Sequence, residues 1–424
     1  MKRIKKITQT NLFKITSLNS LSIVLRLFIG LITSKVLAIF VGPSGLALLG
    51  NFRNFVGSFE TVSTLGFQNG IVKYVAESKE KETELKKYVS TIIISISIAS
   101  LLLSGFLFSF PDFCDELIFG FDFKYSFIFK AFAIALPWYA LSLVLVSIIN
   151  GLGKFKKVIY INLIGNFIGL FVSVFFVSKF QITGALLSII ITPSLLFFVS
   201  FYYTNKELSL FNLIRFRFFD FKIIKNLSHY FLMALVSGVI GSVVYIAIRK
   251  NIISNIGIQQ AGYWEAISKI SSYYLLFVSS ILTLYFLPKL AVAKNNQETK
   301  KIFRGFYKTV LPIFIITLTV IYFSRFFIIK LLFTKEFLPV STLFFWQLLG
   351  DVLKVASLIL GYQFFAKKMT IAFIISELFS FGVLYFLSNY LIKIFGIEGI
   401  VMAQAFDNFI YFVALSIYFR KSLF

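Results

Sequence analysis

The sequence holds one cysteine, Cys114, and one histidine, His229. A lone cysteine excludes an intrachain disulfide, and the pair cannot assemble a metal-ligand cluster. Charge is also scarce, at 14% of residues, where soluble domains carry about 25%. There is no Gly-rich phosphate loop and no nucleophile elbow. No hydrophilic stretch is large enough to house an enzyme site. These absences argue against an enzyme and leave no residues that call for a cofactor.

What is abundant is hydrocarbon. Of 424 residues, 58% are hydrophobic, and 56 are Phe. Mean hydropathy is +0.88. Apolar runs of about 20 residues recur along the whole chain, the length that crosses a bilayer as a helix. The runs are continuous and do not alternate, which argues against a membrane β-barrel. Twelve spans are expected, at 12–40, 44–71, 88–110, 125–150, 157–178, 182–204, 230–252, 261–288, 308–333, 339–365, 370–393 and 397–419. The basic start, Met1–Lys6, reads as the flank of an uncleaved first helix, because the apolar run continues past signal-peptide length.

Net charge is +24. In a soluble protein that excess would point to nucleic acid. Here it falls in alternate loops, as the positive-inside rule requires. One set of loops carries Lys73, Lys79, Lys81, Lys86 and Lys87, then Lys154, Lys156 and Lys157, then Lys294, Lys300, Lys301 and Arg304. The opposite set is sparse, and its 111–124 loop is acidic, with Asp112, Asp115, Glu116 and Asp122. Both termini are therefore expected in the cytoplasm. The longest connection, Asn205–His229, is basic and Phe-rich and reads as an amphipathic segment at the interface. It divides the chain into an N-terminal lobe, 1–225, and a C-terminal lobe, 226–424.

The charges inside the spans are the candidates for function, because a central Arg or Lys costs about 2.5–3.5 kcal/mol on insertion scales. Arg26 and Lys35 lie in the first span, and Arg53 and Glu60 lie seven apart on one face of the second. The seventh ends in Arg249-Lys250. In the eighth, Glu265 and Lys269 stand at i and i+4, the order that favours an ion pair. In the tenth, Gln347, Asp351 and Lys354 form one polar stripe, and Glu377 and Asp407 lie in the last two spans. Lys35, Arg249 and Lys250 are also placed to snorkel to the interface, and Glu265–Lys269 and Asp351–Lys354 are also readable as self-neutralising pairs. Glu60, Asp351, Glu377 and Asp407 are coupling-ion candidates, with hydrogen bonding inside the bundle as the other reading. Arg26, Lys35, Arg53, Arg249 and Lys269 outweigh Glu60 and Glu265 in the first, second, seventh and eighth spans. That sign suits an anionic substrate, and the arginine fork suits phosphate.

The run VGPSGLALLGNFRN (Val41–Asn54), with GIVKYVAE (Gly70–Glu77), resembles the first helical hairpin of Wzx-type lipid-linked oligosaccharide flippases, the group of O-antigen translocases and enterobacterial common antigen flippases. FFWQLLGDVLKVASLILGY (Phe344–Tyr362) is similar to the tenth helix of that family, and YFLPKL (Tyr285–Leu290) to its eighth. The resemblance implies the multidrug/oligosaccharidyl-lipid/polysaccharide exporter fold, all-α, with two six-helix lobes around a central cationic cavity. It implies an undecaprenyl-pyrophosphate-linked oligosaccharide as substrate, moved across the bacterial inner membrane by alternating access. Arg26, Arg53, Lys269 and Arg249 are the expected substrate-binding cations, with a proton or sodium ion as coupling ion. Membrane lipids and polysaccharide-assembly proteins are the expected partners. The competing expectations are a drug/cation antiporter of the same superfamily, which needs carboxylates and not arginines, and a membrane-embedded glycan polymerase or ligase. The latter needs a larger outer loop than 111–124 offers.

Overall fold

In hydrocarbon every backbone N–H and C=O must be satisfied within the segment, so long apolar runs become helices. The computed structural model describes residues 11–120 and 124–423. Met1–Lys6, read above as the flank of the first helix, and Asp122, read above in the acidic loop, lie outside the described residues. The long helices are α1 (Asn11–Phe40), α2 (Gly42–Ser63), α3 (Glu82–Ser109), α4 (Ser126–Gly151), α5 (Phe155–Leu208) and α6 (Phe221–Ala234). They continue with α7 (Gly241–Ile256), α8 (Ile258–Ile281), α9 (Asn296–Phe323), α10 (Val340–Ala366), α11 (Thr370–Phe395) and α12 (Glu398–Tyr418). Among the described residues, ten helices are long and apolar enough to cross a membrane.

That count treats α5 as one helix of 54 residues, but it is a hairpin. At Gln181 the backbone turns to φ 48°, ψ −121°. Gly165 then faces Leu196, Gly169 faces Thr192, and Gly184 abuts the Phe176 carbonyl, an antiparallel register. The two arms coincide with the expected fifth and sixth spans. α6 and α7 are joined by π-helical turns at Leu235–Ile240 into one 36-residue span. With α2, which is long but more polar, every one of the twelve expected segments falls on a helix or a helix arm.

Two boundaries differ from expectation. α2 stops at Ser63 and does not run on to residue 71. Leu65 (φ 51°) and Gly66 (φ 56°) turn the chain there, and a separate helix, Gln68–Ser78, follows. Gly66 also passes so close to Phe231 and Ala234 that a Cβ would collide with them. The expected ninth span breaks at Ser324, after which Arg325–Leu332 is a short helix of its own. The chain between α5 and α6 is tied down by hydroxyls of α3. Ser90 Oγ donates to the Leu213 carbonyl at 2.6 Å, and Asp220 N–H donates to Thr91 Oγ1 at 3.0 Å.

By internal packing the chain divides into two units. One holds the residues up to Phe40 with Phe52–Val239, the other Val41–Asn51 with Ile240–Phe424. Small residues let membrane helices approach closely where apolar burial alone gives no preference over lipid. In the first unit, Phe52, Phe55, Phe129 and Phe132 interlock with ring centroids 5.3–6.4 Å apart. In the second unit, Gly262 at the start of α8 seats against the Pro43 backbone, where any Cβ would collide. α10 is the centre of this unit, with 61% of its apolar window buried, against 11% for α11. Large apolar side chains such as Ile371 and Phe386 on α11 stay exposed, as a lipid-facing surface requires.

Candidate transport site

In the first unit, α1, α2, α4 and both arms of α5 enclose a cavity of about 430 Å³. Arg53 and Glu60 line it from α2, separated by Val56 and Gly57. Tyr139 enters from α4, Asn166 and Ser173 from the first arm of α5, and Ser188 and Thr192 from the second. Glu60 is held by two donors. Tyr139 Oη gives its proton to Oε2 at 2.6 Å, and Gln68 Nε2 donates to Oε1 at 3.4 Å. The Thr192 hydroxyl is buried and has no hydrogen-bond partner among the described residues. The cavity therefore offers a guanidinium, a carboxylate held by Tyr139 and Gln68, an amide and hydroxyls on an otherwise apolar wall. Such a set can engage a phosphate and sugar hydroxyls. Arg26 is exposed, and it shares a face of α1 with the cavity residues Ile29 and Thr33, three and seven positions on.

The second unit treats its charges differently. Arg249 is 3% exposed and lies well inside the α6–α7 span, which runs to Ile256. Its Nη2 donates to Glu265 Oε2 at 2.8 Å and its Nη1 to Asn51 Oδ1 at 3.2 Å, and its guanidinium lies 4.9 Å from the Trp264 ring centroid. The expectation read Arg249 as a substrate cation or a snorkelling end residue; the structure pairs it with Glu265 and Asn51. Lys269 is half-buried one turn beyond Glu265 on α8.

The carboxylates of α10, α11 and α12 gather hydroxyls. Asp351 Oδ2 receives Tyr274 Oη at 2.5 Å, Ser271 Oγ at 2.7 Å and Gln347 Nε2 at 3.2 Å. Gln347 and Asp351 thus form one polar stripe. Tyr411 Oη donates to Glu377 at 2.9 Å, and Ser380 Oγ lies 3.0 Å from both oxygens of Asp407. Lys354 acts electrostatically on all three carboxylates. Sequence reasoning missed Tyr139, Tyr274 and Tyr411. A mid-span tyrosine was the available signal, but it reads as packing until its partner helix is known. Among the described residues no group of His, Cys, Asp and Glu could hold a metal ion by clustering.

Residues 12–294 match the model of a family described as polysaccharide biosynthesis protein, two thirds of the chain. The chain belongs to that family. Within the polysaccharide biosynthesis proteins, it is 27% identical over 397 residues to the Lipid III flippase of Escherichia coli (strain K12), covering 92% of this chain and 94% of the relative. The Lipid III flippase of Shigella flexneri matches to the same extent. Among solved structures, the inward closed form of the Lipid II flippase MurJ superposes with TM-score 0.72 at 17% identity, covering 96% of this chain and 87% of that one. An inward-facing multidrug resistance MATE transporter of the MOP superfamily superposes with TM-score 0.75 at 14% identity, covering 95% and 98%. These likenesses carry the fold, and they agree with the resemblance read from Val41–Asn54 and Phe344–Tyr362. This polysaccharide biosynthesis protein is a multi-pass membrane transporter and not an enzyme.

Proposed function

We propose that the chain is a flippase for an oligosaccharide carried on undecaprenyl pyrophosphate, working by alternating access in the bacterial inner membrane with both termini cytoplasmic. The observation that carries this reading is the match to the Lipid III flippase along 92% of the chain. The site chemistry agrees. Setting aside the mutually neutralised Arg249 and Glu265, the cations Arg26, Lys35, Arg53 and Lys269 still outnumber Glu60 in the first, second, seventh and eighth spans. Arg53 binds the pyrophosphate through its fork. Asn166, Ser173 and Thr192 face sugar hydroxyls, and the polyprenyl tail remains in lipid. The product passes to polysaccharide-assembly proteins.

Coupling to a proton or a sodium ion runs through carboxylates whose partners are hydroxyls: Glu60 with Tyr139, Asp351 with Tyr274, Glu377 with Tyr411 and Asp407 with Ser380. A hydroxyl donates to a carboxylate and accepts from a carboxylic acid, so the bond survives protonation. The Arg249–Glu265 pair has no such freedom, which sets Glu265 apart from the coupling candidates.

Flipping in proteoliposomes tests the proposal. An undecaprenyl-pyrophosphate-linked glycan is read with a membrane-impermeant glycan-directed probe. Wild type exposes the glycan. Arg53→Ala removes a charge-assisted contact of about 1.5–3 kcal/mol and slows exposure roughly 10- to 100-fold. Wild type that moves organic cations and no glycan replaces the flippase with the drug antiporter.

A further inference from the structure

At one end of the second unit, α9, α12 and the terminal turn Arg420–Leu423 surround a second cavity, of about 650 Å³. Its floor is apolar, made by Phe412, Val413, Ile417 and Leu423. Its rim carries Arg304, Lys308 and Arg420, and all three are exposed. None of the three forms an ion pair among the described residues. Ser416 Oγ lies on the same wall, buried and without a hydrogen-bond partner among the described residues. The terminal turn is fixed in place, because Ser422 Oγ donates to Asn296 Oδ1 at the start of α9 at 2.8 Å. Tyr307 is not available to a ligand, as its hydroxyl is bonded to the Ala356 carbonyl at 2.8 Å.

We propose that this cavity is a binding site for one anionic phospholipid of the leaflet that faces the basic loops. Two features fix the class of occupant together. Three cations with no carboxylate partner among the described residues call for an anion, and the apolar floor beneath them calls for a hydrocarbon chain attached to it. A basic pocket beside membrane helices on the positively flanked side has the character that recruits anionic headgroups. The phosphate sits among Arg304, Lys308 and Arg420, the buried Ser416 hydroxyl supplies a donor below it, and an acyl chain covers Phe412 and Ile417. A soluble phosphate would satisfy the cations and leave the floor wet. A zwitterionic lipid would cover the floor and bring its own positive charge against the rim. The site lies wholly in the second unit, apart from the cavity of Arg53 and Glu60.

The test is native mass spectrometry of the full chain, released from micelles after incubation with phosphatidylglycerol, with phosphatidylcholine of the same acyl chains, or with glycerol 3-phosphate. Wild type is expected to retain one phosphatidylglycerol and little of the other two. The triple variant Arg304→Gln, Lys308→Gln, Arg420→Gln should lose retention roughly a hundredfold, the combined effect of three juxtamembrane cations. Lys294→Gln, Lys301→Gln, Lys421→Gln removes the same charge from exposed positions that do not line the cavity, and should retain the lipid. Val413→Trp fills the floor with the rim intact, and should expel the lipid while leaving the protein folded by its melting curve. Equal retention by all variants overturns the proposal. So does equal retention of phosphatidylcholine, or binding of glycerol 3-phosphate as tightly as the lipid.

Discussion

Arg249 offers the sharpest test, because the sequence reads it as a substrate cation and the structure pairs it with Glu265. Its charge and that of Glu265 sit at 4% and 12% side-chain exposure, 2.8 Å apart. At an effective dielectric near 20 their attraction is about 6 kcal/mol, most of it offset by the desolvation of both ions. Removing both charges together should therefore be nearly neutral. Removing one leaves the other buried without a counter-charge, at about 3–5 kcal/mol. Arg249→Met should unfold at markedly lower denaturant in a detergent-micelle titration, Glu265→Gln should lose somewhat less, and the double variant should recover most of the loss. The coupling in this double-mutant cycle should exceed about 1.5 kcal/mol. Flipping is then measured on the double variant. A stable double variant that flips at the wild-type rate shows that Arg249 is structural. A stable one that does not flip would refute the argument and return Arg249 to the substrate.

Three further outcomes follow from contacts outside that pair. Ser90→Ala removes the donor to the Leu213 carbonyl and should cost about 1–2 kcal/mol, seen as earlier proteolysis of the chain between α5 and α6. Cys114 is 1% exposed in the short helix Pro111–Phe119, and burial pushes its thiol up to about 11; maleimide should label it only after unfolding. Asp115 accepts from Tyr125 N–H at 2.8 Å and Ser126 Oγ at 3.1 Å, yet burial outweighs these bonds and holds its carboxyl above the usual range. A carboxyl raised on folding binds its proton more tightly in the native state, so stability falls as pH rises from its unfolded value of about 4 through its raised native value. Asp115→Asn keeps an acceptor for both bonds and should flatten that slope in melting curves taken from about pH 4 to 7.

What the sequence made legible is what a single helix determines. Gln347 and Asp351 bond at i and i+4 on α10, and Arg53 and Glu60 reach one cavity from one face of α2. The hairpin at Gln181 was visible because Lys179 and Gln181 interrupt two apolar runs. The end of α2 was not, because Gly66 marks the turn but a lone glycine also fits inside a span, and Leu65 adopts its left-handed turn with no residue type to signal it. The partners across helices were hidden for the same reason in every case. Glu265 had a suitable cation four residues away, and reading within the helix favours Lys269. The fold instead brings Arg249 from the preceding helix, sixteen residues back, across the turn at Gly257 (φ 99°). A tyrosine hydroxyl donates to a carboxylate and accepts from a carboxylic acid, so its bond does not depend on the charge state, whereas an arginine bonds only as a donor. Composition counts both kinds of carboxylate alike. Only the register of one helix against the next separates Glu265, which pairs with Arg249 and ties α7 to α8, from Glu60, Asp351 and Glu377, which accept tyrosine hydroxyls.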